Sequence, residues 1–200
     1  MGPRRLLAIL AGLAVAALIA IGLTQLPGSS RTSAGGHEQA PLQEVQQDAL
    51  LAGSPPALAA LHRQGGRLLS GGSAALHAEL AALHGYPVVI NKWASWCVPC
   101  RAEFGAFARV AAEYGRRVAF IGLDSGDSSR GDALGFLAGH PVSYPSYYDS
   151  SGALGLALTD SSFTPVTVFI PVHGQPFIYQ GELPSAQKLE EDLIRYALHA

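Results

Sequence analysis

Cys97 and Cys100 are the only cysteines in this 200-residue chain, and their spacing makes a C-x-x-C pair. At the start of a helix that spacing puts two sulfurs within one turn, close enough to bond and part with little backbone movement. The free amides and positive dipole end of such a helix favour a thiolate at the first sulfur. Cys97 is therefore the expected nucleophile, and Cys100, a turn further in, the residue that resolves a mixed disulfide. Chemistry of this kind needs no metal and no cofactor beyond the reversible Cys97–Cys100 disulfide. Haem attachment requires C-x-x-C-H, and Arg101 follows Cys100. A zinc site completed by histidine is the second alternative, but the seven histidines are scattered and none has ligand spacing to the pair. A structural disulfide is the third, although closing so short a loop adds little stability.

Such a pair must be delivered by a strand and presented by a helix. The β-branched run at 88–90, leading to Trp93, predicts a central strand ending just before Cys97. A helix over 97–114 follows, with Phe104, Phe107, Val110 and Ala111 at helical spacing and Gly115 at its end. Downstream we expect a strand over 118–123, a polar loop over 124–130 and a helix over 132–137. A short strand at 147–148 and a small helix at 153–158 come next, before a loop closed by Thr164 and Pro165. Strands over 166–170 and 177–180 and an amphipathic helix over 185–198 complete the chain. Upstream, short helices are expected over 42–51 and 57–62, a strand at 67–69, and a helix over 73–84 capped by Ser73 and stopped by Gly85. No internal repeat is visible.

The charge balance, 13 Lys+Arg against 15 Asp+Glu, offers no basic stripe, so nucleic acid is not an expected partner. Arg4 and Arg5 precede an apolar and small-residue run over 6–23, long enough for a membrane span. The positive-inside rule keeps the arginines in the cytoplasm and sends the remainder across. No A-x-A-like cleavage site follows, so we expect an uncleaved signal-anchor. The resulting division is a membrane anchor at 1–26, a Gly/Ser-rich tether with short helices at 27–66, and a folded domain at 67–200. That domain is expected at the cell membrane, single-pass, on the extracytoplasmic side.

The stretch VVINKWASWCVPCRAEF over 88–104 resembles the active-site signature of the TlpA/ResA-type thioredoxin-like proteins, and the element order extends the resemblance over most of 67–198. The resemblance implies an α/β, thioredoxin-like fold, a central mixed β-sheet flanked by helices, with an N-terminal transmembrane helix. It implies disulfide reduction outside the cytoplasm, with cytochrome c maturation as a frequent context. Disulfide-bearing extracytoplasmic proteins, apocytochrome c among them, would be the clients, and a membrane electron-donor protein would keep the pair reduced. Position by position, Glu103 matches the acidic residue that influences cysteine ionisation and proton transfer. Pro165 matches the cis-proline opposite the cysteines, Thr164 the residue whose backbone pairs with an extended substrate, and Trp96 the aromatic flanking the first cysteine. Trp93 belongs to the core.

Five positions depart from the wider pattern. Asn91 stands where ordinary thioredoxins carry a buried Asp, which shifts proton-transfer work to Glu103 or water. Lys92 occupies a site where an apolar aromatic is more typical. Val98–Pro99 is neither of the best-known intervening dipeptides, and Gly105 replaces a frequent proline. Reduction is the preferred direction. An oxidant using the same chemistry in reverse is the alternative, and a non-catalytic client-binding module is a third reading. The peroxiredoxin context P-x-x-x-T/S-x-x-C is absent around Cys97.

Overall fold

A computed structural model describes residues 44–199. The expected anchor at 1–26 and the start of the tether lie outside those residues. Among the described residues no helix is long and apolar enough to cross a membrane.

The elements run α1 (Glu44–Leu51), α2 (Pro56–His62), β1 (Leu68–Leu69), α3 (Gly72–Ala82), β2 (Val88–Trp93), α4 (Val98–Tyr114) and β3 (Ala119–Ser125). They continue with α5 (Arg130–Gly139), β4 (Ser146–Asp149), α6 (Ala153–Thr159), β5 (Val166–Ile170), β6 (Phe177–Gln180) and α7 (Ala186–Leu193), which ends in a π-helical turn at Ile194–Leu198. One six-stranded sheet has the order β1-β4-β3-β2-β5-β6. β1, β4, β3 and β2 are parallel neighbours, whereas β5 runs antiparallel to β2 and β6 to β5. This is a thioredoxin-like α/β fold, a mixed sheet between two layers of helices.

All six residues of β2 are buried, as a strand covered on both faces requires. Its alternation divides the core. Val89 and Trp93 join Phe104, Phe107, Phe120, Phe169 and Leu189 on one face, under α4 and α7. Val88 and Ile90 join Leu58, Leu61, Leu76, Ile121 and Val168 on the other, under α2 and α3. Leu58 and Leu61 are fully buried, so α2 belongs to the packed unit rather than to a tether ending at residue 66.

Four local expectations are corrected. Helix α3 is capped by Gly71 at φ 117°, not by Ser73, whose hydroxyl instead meets the His77 ring at 2.9 Å. A Cβ at position 71 would approach that of Ala75 at 2.6 Å, so this entry turn takes glycine. The polar segment after residue 123 is not all loop: β3 continues through Ser125 because Asp124 pairs with Trp93 on one side and Tyr148 on the other. Helix α5 begins earlier than expected, where the Ser129 hydroxyl accepts from the amides of Gly131 and Asp132. The last helix widens after Leu193, with the His199 amide donating to the Ile194 carbonyl at 3.0 Å, and Tyr196 stacks on Phe177 at 3.7 Å.

Replacing Leu61 by Ala is expected to lower unfolding stability by about 2–5 kcal/mol, the range for opening a cavity in a closed core. Urea denaturation of the variant measures it, and a change under about 0.5 kcal/mol would mean that α2 is dispensable to the domain.

Candidate active site

β2 ends at Trp93 and α4 begins at Val98, so Cys97 falls on the junction as the helix N-cap. Its Sγ accepts from the Cys100 amide at 3.2 Å, and the two sulfurs are joined as a disulfide. The Cys100 amide is one of the donors a helix leaves unpaired in its first turn, and once the bond is reduced it faces the Cys97 thiolate. Pro99, within the first turn, has no amide to leave unsatisfied there. Cys97 is 3 % exposed and Cys100 fully buried, which leaves the first sulfur as the one a partner can reach.

The Thr164–Pro165 peptide is cis, and the Thr164 carbonyl lies 3.7 Å from Cys97 Sγ. In the disulfide that sulfur carries no proton, so a hydrogen bond forms only with the thiol. Around this contact the surface is apolar. Trp96 is exposed and held in place by its indole N–H, which donates to the Gly126 carbonyl at 3.2 Å. Val98, noted above only for its unusual dipeptide with Pro99, and Phe163, not singled out in the sequence, are 76 % and 74 % exposed, so with Trp96 large apolar side chains edge the disulfide on two segments. An exposed Phe two positions before a proline in such a loop was the available signal.

Glu103 does not lie on a solvated helix face: it is 1 % exposed, behind the cysteines. Its carboxylate accepts from Asn91 Nδ2 at 2.7 Å and from the Leu183 amide at 3.0 Å. Burial pushes its pKa up to about 7, against the lowering effect of those two hydrogen bonds. Asn91 thus contributes as a donor to Glu103 where an Asp would have repelled it. Gly105 has open space where a Cβ would stand, so nothing packed against α4 demands glycine there.

Lys92 is turned inward, 2 % exposed, with Nζ donating to the Ser161 carbonyl at 2.6 Å. Burial lowers its pKa, opposed by the Asp149 carboxylate. Asp127, expected in a polar loop, is 2 % exposed and accepts from both the amide and the hydroxyl of Ser95 at 2.8 Å. It therefore pins the short turn between Trp93 and Cys97. Beside it, Asp124 is fully buried and neither carboxylate oxygen has a donor. Burial first, then the adjoining Asp127, raises the Asp124 pKa to about 8. As a neutral acid it can give its proton to Asp127. Among the described residues no group of three or more His, Cys, Asp or Glu could hold a metal ion.

A reachable sulfur at a helix N-terminus, a second sulfur one turn in and a cis-proline opposite define a thioredoxin-like dithiol site. Residues 73–170, just under half of the chain, match the model described as the AhpC/TSA family. The thiol:disulfide interchange protein DsbE of Tatumella citrea is 40% identical over 85 residues, 42% of this chain and 43% of that protein. The thiol-disulfide oxidoreductase ResA of Oceanobacillus iheyensis is 31% identical over 106 residues, 52% of this chain and 55% of that protein. The chain thus spans about half the length or less of these curated relatives. In three dimensions, the crystal structure of a DsbF homologue from Corynebacterium diphtheriae superposes with a TM-score of 0.52 at 29% identity, covering 56% of this chain and 73% of that one.

The raised pKa of Asp124 has a sign for stability. The fold holds this proton more tightly than the unfolded chain does, so the stabilisation is complete below about pH 4 and is lost as pH rises through about 8. Asp124→Asn removes the ionisation. Its Tm relative to the parent should rise between about pH 5 and about pH 9 by a few °C, and a difference that is flat with pH would show that Asp124 is not buried as an acid.

Proposed function

We propose that this protein is a membrane-tethered, extracytoplasmic thiol–disulfide oxidoreductase that reduces the disulfides of exported proteins, with apocytochrome c as one client. The observation that carries the reading is the placement of Cys97 Sγ at the N-terminus of α4, 3.7 Å from the carbonyl preceding cis-Pro165. A client strand lying along Thr164 would bring its disulfide onto the one sulfur that can be reached. The DsbE and ResA relatives support the chemistry. The apolar run at 6–23 after Arg4 and Arg5 supports the tether and the sidedness.

In the reducing direction the Cys97 thiolate attacks one client sulfur, forming a mixed disulfide and releasing the other client sulfur as a thiolate. Cys100 then loses its proton and attacks Cys97 Sγ. The mixed bond breaks, the second client thiolate leaves, and the Cys97–Cys100 disulfide is formed. Two electrons have passed to the client, and a membrane electron-donor protein must return them. Glu103, three residues beyond Cys100 on the same helix, is the group that would take the Cys100 proton. A carboxyl titrating at about 7 exchanges protons readily at neutral pH, which an ordinary surface Glu does not.

Equilibration of the full-length protein against thiol–disulfide buffers tests the direction. A potential near or below about −270 mV is expected for a reductant; one approaching about −120 mV would make the protein an oxidant. Absence of any reversible disulfide would sink the enzyme altogether. Glu103→Gln should slow the Cys100 step on the order of 10²-fold and abolish its rise through about pH 7, read by stopped-flow tryptophan fluorescence. An unchanged pH profile would remove Glu103 from proton transfer.

A further inference from the structure

Lys92 has the type of side chain least suited to a closed core, and the oxidoreductase mechanism gives it no step. β2 side chains alternate, so Lys92 points with Val88 and Ile90 away from α4 and into the layer that includes α6. There its ammonium meets the Ser161 carbonyl, which also lies 3.1 Å from Thr159 Oγ1, whose single proton is shared with the Gly155 carbonyl at 2.7 Å. The Ser161 hydroxyl in turn accepts from the Phe163 amide at 3.2 Å. Helix α6 makes room for the lysine: a Cβ on Gly155 would stand 2.8 Å from Lys92 Cε and 2.4 Å from Ser125 Oγ. The Asp149 carboxylate, fixed by the Gly155 amide at 2.8 Å and the Ser125 hydroxyl at 3.1 Å, favours the charge without pairing directly with it.

An apolar side chain would fill this space without desolvating a cation. What the lysine adds over it is one strong, charge-assisted bond to a loop carbonyl. That carbonyl sits at the entry to the segment 160–165, and the exit of the same segment is held by the backbone pairing of Val166 with Lys92. A single residue of β2 therefore fastens both ends of the loop that carries Phe163, Thr164 and cis-Pro165. We infer that Lys92 is a positioning residue for protein clients: its ammonium holds Ser161, and so sets the backbone edge on which a client strand docks beside Cys97. The inference rests on the oxidoreductase reading. It separates client docking from sulfur chemistry, because Lys92 reaches the docking loop and not the cysteines.

The test compares two substrates in the full-length protein. Insulin supplies a disulfide in a polypeptide that must dock, and 5,5′-dithiobis(2-nitrobenzoate) a small disulfide that need not. Lys92→Met should raise KM for insulin roughly tenfold, about 1.4 kcal/mol of lost docking, while kcat and the small-disulfide rate stay within about twofold. Thr159→Val, which removes the hydroxyl shared between the Gly155 and Ser161 carbonyls, should shift KM in the same direction by a smaller factor, and Thr159→Ser should restore it. These two variants carry the test if Lys92→Met does not fold. Equal losses on both substrates would overturn the inference, since Lys92 would then support the site as a whole, and so would no change on either. If the parent protein reduces neither substrate, the oxidoreductase reading falls and this inference falls with it.

Discussion

The structure depends on β2 being closed on both faces. Because every side chain of that strand is buried, its register against β3 and β5 is fixed from both sides, and a one-residue slip would exchange Asn91 and Lys92 between layers. A strand held so firmly can end abruptly. The four residues after Trp93 then turn into α4 with Cys97 at the N-cap, and the chemistry of the sulfur follows from where the helix begins rather than from any group placed beside it. The same register sets Val166 opposite Lys92, so the cis-proline arrives across from the cysteines by strand pairing alone.

Around that junction the core admits titratable groups that a purely apolar interior would exclude. Each backs a different part of the site. Glu103 lies behind the cysteines and joins α4 to Asn91 of β2 and to the backbone at Leu183. Asp127, with the buried Asp124 next to it, holds Ser95 and so the turn into Cys97. Lys92 holds the loop ahead of Pro165. All of them desolvate a polar head, and each directs a hydrogen bond to backbone or side chain within a segment that regular secondary structure cannot tie down. Rigid sheet on one side and buried polar ties on the other leave the disulfide little room to move.

The sequence revealed the parts whose signals are local. A β-branched run, two cysteines and an amphipathic stretch ending in glycine were enough to place the strand–helix junction. Short β-branched and aromatic runs on either side of His173–Gly174 gave β5 and β6 within their observed bounds. What could not be read was the meaning of buried polar residues. Asp124 and Asp127 have the composition of a loop, and only pairing with β2 and β4 shows that the first is in a strand and the second beneath a turn. Gly155 looks like any helix glycine until the Lys92 stem is seen beside it. The cis peptide and the significance of Glu103 came from resemblance to a family, since hydrophobic periodicity carries no information about either.

The apolar rim argues for how a protein client is held. Trp96 and Val98, on either side of Cys97, and Phe163, in the loop before Pro165, are exposed around a sulfur that is itself almost covered. A small thiol needs only a path to Cys97, and three large apolar side chains beside that path give it nothing. A polypeptide gains from burying them, at about 25 cal/mol for each Å² removed from water, and from the backbone edge at Thr164. Backbone pairing and apolar contact both tolerate a wide range of client sequences. On the proposed reading, discrimination would come from where an oxidised cysteine is exposed along the client, favouring an accessible disulfide in extended chain over a particular folded surface.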